Sequence, residues 1–197
     1  MRVCGGHTNR YRKRGALLLQ RTLLAILPIL ISACSSASLV ESTTLARKDL
    51  PEYNVVLYYP RDWSVSRGDF FHFTAETNLD DDQKVVFHYR GLEKVKKDRD
   101  SKRQYARGWY AAIQLSYRNW TYISQTSDDD DSEGTFRFEG TYLKEGVLLR
   151  KLGVLRFRGN HVHAFYYTAP DQEFEAYRPL FEKLDSMHRY SMDEAGT

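Results

Sequence analysis

Residues 161–170 read HVHAFYYTAP, and this stretch decides the fold of the chain. β-branched and aromatic residues dominate it, so it predicts a strand over residues 161–168. From Val162 to Tyr167 apolar side chains fall on both faces of that strand instead of alternating with polar ones. We therefore expect the strand to lie in a sheet that other elements cover on both sides.

A helix directly after this strand supplies one of the two covers. Pro170 favours the first turn of a helix, and Asp171 and Glu173 complement the positive end of the helix dipole. The apolar stripe of this helix consists of Phe174, Tyr177, Phe181 and Leu184. Pro179 is expected to bend the helix or to split off its first turn.

The rest of the chain predicts a second helix and several antiparallel strands. Helical periodicity over residues 98–116 places Tyr105, Trp109 and Ile113 on one apolar face. Further strands are predicted over residues 54–59, 70–74, 84–89, 120–126, 135–142 and 147–158. Turn-forming residues at 128–134, 144–146 and 159–160 join the last four strands into a meander of hairpins. The expected fold class is α+β, with an antiparallel sheet sandwiched by helices.

Two motifs connect this pattern to a known family. Residues 58–65 read YYPRDWSV, which resembles the opening Y-P-x-x-W-x-V of PsbP-like domains. The closing strand, its T-A-P turn and the last helix resemble the end of that family. The likeness covers the two ends of residues 51–190 and departs at Met187-His188, where the family more often has Phe-Arg. It implies an α/β/α sandwich around an antiparallel sheet.

The resemblance also implies a binding role rather than catalysis. The best-known members of the family are extrinsic, non-enzymatic subunits and assembly factors of photosystem II, although a lipidated relative need not serve photosynthesis. Nothing in the sequence resembles a nucleophile elbow, a zincin helix, a phosphate loop or a dinucleotide fingerprint. We therefore expect that this protein is not an enzyme, and we predict no cofactor.

The amino terminus has the pattern of a lipoprotein signal peptide over residues 1–33. Six basic residues and no acidic ones precede position 34, and the apolar run is shorter than the ~20 residues that a membrane span needs. The sequence Ile31-Ser32-Ala33-Cys34 resembles a bacterial lipobox, which implies a lipid on Cys34. Ser35 in place of Asp resembles an outer-membrane address. The alternatives are an uncleaved signal anchor or an ordinary signal peptide in which Cys34 is incidental.

Removing the signal peptide changes the charge of the protein. The whole chain has 29 basic and 26 acidic residues, so the part from Cys34 onward has 23 basic against 26 acidic. A net charge near −3 gives no electrostatic case for binding nucleic acid, which needs a basic face. Residues 34–50 have no apolar periodicity and are predicted to be a flexible tether, followed by one domain over 51–190 and a tail over 191–197. With Cys4 removed and Cys34 acylated, no cysteines remain for a disulfide.

Two features suggest metal binding. His161 and His163 are spaced to point to one face of a strand, and His72 or His88 could add a third ligand. The acidic spacing at residues 129–134 resembles part of a calcium loop, but position twelve would be Gly140 and a strand follows. A solvated hairpin loop explains those residues better, and the same holds for the aspartates at 80–82.

Three hypotheses for the function follow. The first is a membrane-anchored envelope lipoprotein that acts as a non-enzymatic interaction, scaffold or assembly module for an envelope protein. The second is a lipoprotein that binds a small ligand or a divalent metal through His161 and His163 or the acidic loops. The third is an enzyme with a site assembled from scattered residues, which lacks any supporting signature. The sequence favours the first.

Overall fold

The computed structural model describes residues 39–79, 83–92, 95, 98–128, 134–159 and 161–190. No helix in these ranges combines the length and the apolar character that crossing a bilayer requires. A helical turn over residues 39–42 and a single 3-10 turn at Pro51–Tyr53 accompany two long helices, α1 (Arg99–Ser116) and α2 (Asp171–Met187). The strands are β1 (Leu45–Leu50), β2 (Val55–Pro60), β3 (Ser64–Ser66), β4 (Phe73–Asn78), β5 (Lys84–Leu92), β6 (Thr121–Asp128), β7 (Thr135–Lys144), β8 (Val147–Arg158), β9 (His161–Pro170) and β10 (Arg189–Tyr190).

The strands form two antiparallel sheets. The larger has seven strands in the order β3-β4-β5-β9-β8-β7-β6, so the strand first singled out in the sequence, β9, lies in the middle. Strands β6 to β9 follow one another across the sheet, which confirms the predicted meander. The smaller sheet has the order β1-β2-β10.

Strand β9 is buried on both faces, as its composition predicts. Every residue from Val162 to Pro170 is buried. Val162, Ala164 and Tyr166 belong to one hydrophobic cluster, and Phe165, Tyr167 and Ala169 belong to another. The sheet therefore has a core on each side, and the expected sandwich is confirmed.

Each core has its own cover. Helix α1 contributes Ala106 to the first cluster, with Tyr105, Trp109, Tyr110 and Ile113 packed around it. Helix α2 contributes Phe174, Leu180, Phe181 and Leu184 to the second cluster, and the smaller sheet adds Leu50, Val55, Leu57 and Tyr190. The layers are thus α1, the seven-stranded sheet, and a third layer that α2 shares with the smaller sheet.

Helix α2 contains Pro179 and nevertheless continues from Asp171 to Met187 as one helix. The expectation that proline splits off the first turn is therefore wrong. Proline lacks an N–H and cannot donate to the carbonyl four residues earlier, Glu175. Burial of the apolar stripe on both sides of Pro179 holds the helix together at that point.

The predicted tether over residues 34–50 is wrong for residues 39–50. Strand β1 pairs with β2 over six residue pairs, from Leu45 opposite Pro60 to Leu50 opposite Val55. Leu39, Val40 and Leu45 pack against the core on the α2 side. Because β1 is an edge strand held by backbone hydrogen bonds, its middle residues are exposed and charged, and no apolar periodicity marks it. The predicted signal peptide, Cys34 and the tail at 191–197 lie outside the described residues.

The two edges of the larger sheet differ from its interior. At one edge, β3 is only three residues long and exposed. At the other edge, β6 is mostly polar, and its pairing with β7 shifts register between Tyr122 and Ser124. This shift marks a β-bulge, which twists an edge strand and interrupts its pairing pattern.

We predict that Phe181→Ala lowers the free energy of unfolding by ~3–5 kcal/mol, because the ring is completely buried and the substitution leaves a cavity. The ring of Phe181 packs 5.1 Å from that of Tyr167 and 5.5 Å from that of Phe174. Urea denaturation measures the change. The control is Glu182→Ala, an exposed neighbour on the same helix, which should change stability little. Equal effects of the two substitutions would contradict this account of the core.

Candidate functional site

The predicted histidine pair lies at the start of β9, and its second member is buried. His163 is 2% exposed, and its Nδ1 lies 3.0 Å from the hydroxyl oxygen of Tyr89. Its ring is also 4.7 Å from the ring of Tyr190. Burial lowers the pKa of His163 to about 3, so the side chain is neutral at physiological pH. His161 is partly exposed.

The other two histidines considered as metal ligands are engaged elsewhere. His72 accepts a hydrogen bond from the backbone N–H of Gly91 and stacks on Tyr53. His88 stacks on Phe71 in the α1 layer, with its Nδ1 2.9 Å from Thr74 Oγ1. Within the described ranges, no three or more His, Cys, Asp or Glu side chains converge as a metal site would require. Metal binding by the pair stays a prediction.

Both acidic loops of the sequence analysis, residues 80–82 and 129–133, lie outside the described residues. The calcium and hairpin interpretations of these loops therefore remain predictions as well.

Buried charges on the α2 side of the sheet fasten that helix to the strands. Asp185 of α2 is 2% exposed and forms ion pairs with Arg137 and Arg156. About two turns earlier in α2, Arg178 donates two hydrogen bonds of 2.7 and 3.0 Å to the carboxylate of Glu139 in β7. The carboxylates of Asp185 and Glu139 both form ion pairs with neighbouring guanidinium groups, so we assign them a structural role.

His188, at the point where the sequence departs from the family pattern, is also a packing residue. It is buried between the rings of Phe87 and Phe165, which stack on it at 5.3 and 4.7 Å. Its Nδ1 accepts a hydrogen bond from the backbone N–H of Tyr58, so its Nε2 is free to donate to the Tyr167 hydroxyl oxygen 3.1 Å away. Burial lowers its pKa to about 3, consistent with this neutral form.

A lysine is buried on the opposite side of the sheet, under the carboxyl end of α1. Lys151 of β8 is 2% exposed, and its Nζ donates a 2.8 Å hydrogen bond to the hydroxyl oxygen of Tyr117. Rings of Tyr117, Tyr142 and Tyr166 surround the ammonium group, with centroids 4.6 to 5.6 Å away. Burial, reinforced by repulsion from Lys144, lowers the pKa of Lys151 to about 7.

Sequence reasoning missed Lys151, and its environment limits what it can do. A lysine with such a pKa is partly neutral near pH 7 and has the chemistry of a nucleophile or a base. However, the tyrosine rings fill the space around its amine, and it has almost no contact with solvent. Cation–π contacts and one hydrogen bond hold it inside the α1 layer. The arrangement fits a structural cation.

The exposed surface offers a different kind of candidate. Five large apolar side chains, each 43 to 89% exposed, occur where α1 and β7 end and where β6 and β8 begin. We name this set the apolar rim: Leu115, Tyr122, Ile123, Leu143 and Leu148. Water contact of this extent is unfavourable for so many large apolar groups, and such patches mark interaction sites.

The topology brings the members of the apolar rim to one end of the sandwich. Leu143 and Leu148 are direct partners across the β7–β8 hairpin. Tyr122 is opposite Gly140 on the neighbouring strand. The ring of Tyr117, directly after α1, lies 4.2 Å from that of Tyr142 of β7, so the end of α1 that carries Leu115 lies at this end of the sandwich.

A cationic cleft of about 320 Å³ lies between the amino-terminal half of α1 and strands β6 and β7. Arg99, Lys102, Arg103 and Arg107 line one wall, and Phe136 and Phe157 form an apolar floor. Arg99, Lys102 and Arg103 already take part in polar interactions of their own. The charge of this cleft is therefore not evidence for an anionic ligand.

Comparison with solved structures identifies the architecture. The solution structure of cyanobacterial PsbP (CyanoP) from Synechocystis matches 75% of this chain and 93% of its own, with a TM-score of 0.55 and 13% sequence identity. The fold is PsbP-like. This confirms the fold that the sequence resemblance implied.

Two other structures match the PsbP-like domain less well. A Pseudomonas aeruginosa protein of unknown function matches 73% of this chain and 94% of its own, with a TM-score of 0.49 and 11% identity. LpqN of Mycobacterium tuberculosis, which is involved in cell envelope biogenesis, matches 77% and 94%, with a TM-score of 0.47 and 10% identity. No family model and no curated protein matches the chain.

We predict that Lys151→Met raises the free energy of unfolding at pH 7 by at least about 1 kcal/mol, because it removes the cost of burying an amine. The substitution should also remove a pH dependence. Between pH 7 and 9 Lys151 is protonated in the unfolded chain, whereas in the folded protein it loses its proton near pH 7. The free energy of unfolding of the wild type therefore rises with pH, by about 1.4 kcal/mol per pH unit at most.

Urea denaturation of both proteins across this pH range tests the prediction. Lys48→Met, which replaces an exposed lysine of β1, is the matched control and should keep the wild-type slope. A destabilised Lys151→Met protein with an unchanged slope would show that the tyrosine cage favours the charged amine.

Proposed function

We propose that this protein is an envelope lipoprotein whose PsbP-like domain binds another envelope protein and catalyses no reaction. The observation that carries the proposal is the apolar rim, five large exposed side chains gathered at one end of the domain. Interaction surfaces are built from such residues, which bury their apolar area only when a partner covers them.

The use of the buried ionisable groups supports a role without catalysis. Asp185 and Glu139 are paired with arginines, and His163 and His188 are neutral and hydrogen-bonded to tyrosines. Catalytic acids, bases and nucleophiles must reach a substrate, so they lie in clefts with access to it. His163, His188 and Lys151, whose pKa values are strongly lowered by burial, lie instead inside the two cores.

The amino-terminal sequence supports the envelope location. A basic segment, a short apolar run and the lipobox-like Ile31-Ser32-Ala33-Cys34 are typical of a lipid-anchored exported protein. A diacylglyceryl group with an amide-linked chain gives stable anchoring, because two or more chains bind a bilayer far better than one. Ser35 favours the outer membrane as the anchoring site.

We predict that Cys34→Ser abolishes lipidation, because serine lacks the thiol that takes the thioether-linked lipid. Fractionation should then recover the variant as unprocessed precursor or as soluble protein, while the wild type stays with the membrane. Intact-mass measurement of the wild type should give a mature chain that begins at Cys34 with acyl mass. A mature chain that begins elsewhere, or that lacks this mass, would contradict the anchoring.

We predict that replacing Leu143 and Leu148 with Ser abolishes cross-linking of this protein to its envelope partner without unfolding the domain. Both side chains are nearly half exposed, so the loss of stability should be small, within about 1 kcal/mol. In vivo cross-linking followed by mass spectrometry measures the partner, and thermal melting checks the fold.

The matched control for this pair is Val65→Ser. Val65 is an equally exposed apolar residue, and it lies on β3, at the opposite edge of the sheet from β6. It should leave cross-linking intact. If the rim variant retained the same cross-links as the wild type, the rim would not be the binding surface.

A further inference from the structure

The first residue that the structure describes lies close in sequence to the proposed lipid. Leu39 is the first described residue, and Leu39 and Val40 both pack against the α2 core. The backbone carbonyl of Val40 accepts a 3.2 Å hydrogen bond from Lys183 Nζ of α2. The chain is therefore already attached to the domain five residues after Cys34.

The segment that follows is fixed as well. The carbonyl of Thr44 accepts a 2.9 Å hydrogen bond from the backbone N–H of Arg61, and β1 then pairs with β2 along its whole length. The carbonyl of Leu39 accepts hydrogen bonds from the backbone N–H and the hydroxyl of Thr43, and detaching Leu39 and Val40 from α2 would expose their apolar side chains to water.

The chain length between the lipid and the domain limits their separation. Five residues span at most about 17 Å when fully extended. A domain of this size is about 35–40 Å across. The polar headgroup zone lies between the hydrocarbon and water, and crossing it uses roughly 5–7 Å of the reach of these five residues. The domain therefore cannot turn freely above the bilayer.

We propose that one defined surface, the anchor face, lies against the leaflet that holds the lipid on Cys34. The anchor face consists of residues 39–42, the exposed edge of β1 and the carboxyl-terminal half of α2. The inference rests on the proposed acylation of Cys34. Its occupant is the lipid surface of the anchoring membrane, and the short connection holds the two together.

The charges on the anchor face nearly cancel, as expected if the short connection to the lipid, and not electrostatic attraction, holds this face at the membrane. Lys48 and Lys183 are balanced there by Glu41 and Glu182, and Arg47 is paired with Asp49 at 2.9 Å. A nearly neutral surface is neither repelled by anionic lipids nor bound strongly by them.

The same geometry keeps the apolar rim away from the membrane. Lys183 lies twelve residues after Asp171, which is about 18 Å along the helix. Asp171 at the far end of α2 binds Arg150, two residues from Leu148 of the rim. The rim is thus displaced from the anchor along α2 and remains accessible to a partner.

The test places one fluorophore at a time on the full-length lipidated protein in vesicles of phosphatidylethanolamine and phosphatidylglycerol. Lys48→Cys reports on the anchor face and Lys144→Cys on the β7–β8 hairpin, and both replaced lysines are exposed. The wild-type mature chain has Cys34 as its one cysteine, so an introduced thiol is labelled alone once Cys34 is acylated. The quencher is an acceptor dye on lipid headgroups.

We expect quenching several-fold stronger at position 48 than at position 144. Inserting about twelve Gly and Ser residues between Ser38 and Leu39 adds roughly 20 Å of reach and should bring the two signals together. Equal quenching at both positions, or an unchanged difference after the insertion, would overturn the inference alone. A chain without acyl mass on Cys34 would overturn the proposed anchoring, and this inference with it.

Discussion

The burial of β9 on both faces is the constraint on which the rest of the structure depends. A strand with apolar side chains at successive positions is stable only where both of its faces are covered. Phe165 and Tyr167 on one face and Tyr166 on the other are almost completely removed from water. Burying each such side chain contributes about 1.5–3 kcal/mol, so β9 alone provides a large part of a typical domain's stability. The two helices and the smaller sheet are the covers that this strand requires.

The two covers are attached by different chemistry. On the α2 side, buried arginine–carboxylate pairs accompany the apolar contacts, and His188 at the end of α2 hydrogen-bonds to β2 and β9. Buried ion pairs add little net stability but tolerate few alternative geometries. On the α1 side, the contacts that the described residues make with the sheet are mainly between aromatic rings, together with one caged lysine. Helix α2 is therefore fixed in register by directional bonds, whereas α1 rests on a less directional layer of rings.

The elements with a strong internal pattern were predictable from the sequence. Residues 98–116 were expected to be helical and α1 spans Arg99–Ser116, and the meander of β6 to β9 followed from turn-forming residues. Strands β1 and β10 were not predictable, because short edge strands are held by backbone hydrogen bonds and need no apolar period. In addition, β10 pairs with β2, which is far away from it in the chain.

The candidate site was less predictable than the fold for a related reason. Strand periodicity puts His161 and His163 on one face of β9, but it gives no information about what packs against that face. The ion pair of Arg137 and Asp185 joins residues 48 positions apart, and the cage of Lys151 draws on three separate elements. The apolar rim has no motif at all. Its members are leucines, an isoleucine and a tyrosine, which are residue types that also fill the core. Only their exposure in the folded protein distinguishes them from core residues.

The two edges of the larger sheet affect how copies of this protein interact when they are crowded together. One edge strand, β6, is polar and has a bulge, and the other, β3, is short. A protein held on a membrane, as proposed here, diffuses in two dimensions and meets copies of itself far more often than in solution. Open sheet edges would then template strand exchange and fibril growth. A seven-stranded sheet that ends in one interrupted edge and one very short edge offers no long flat ladder for a second copy to extend. The larger sheet therefore resists edge-to-edge pairing at high surface density, while the domain still displays an apolar end to a partner.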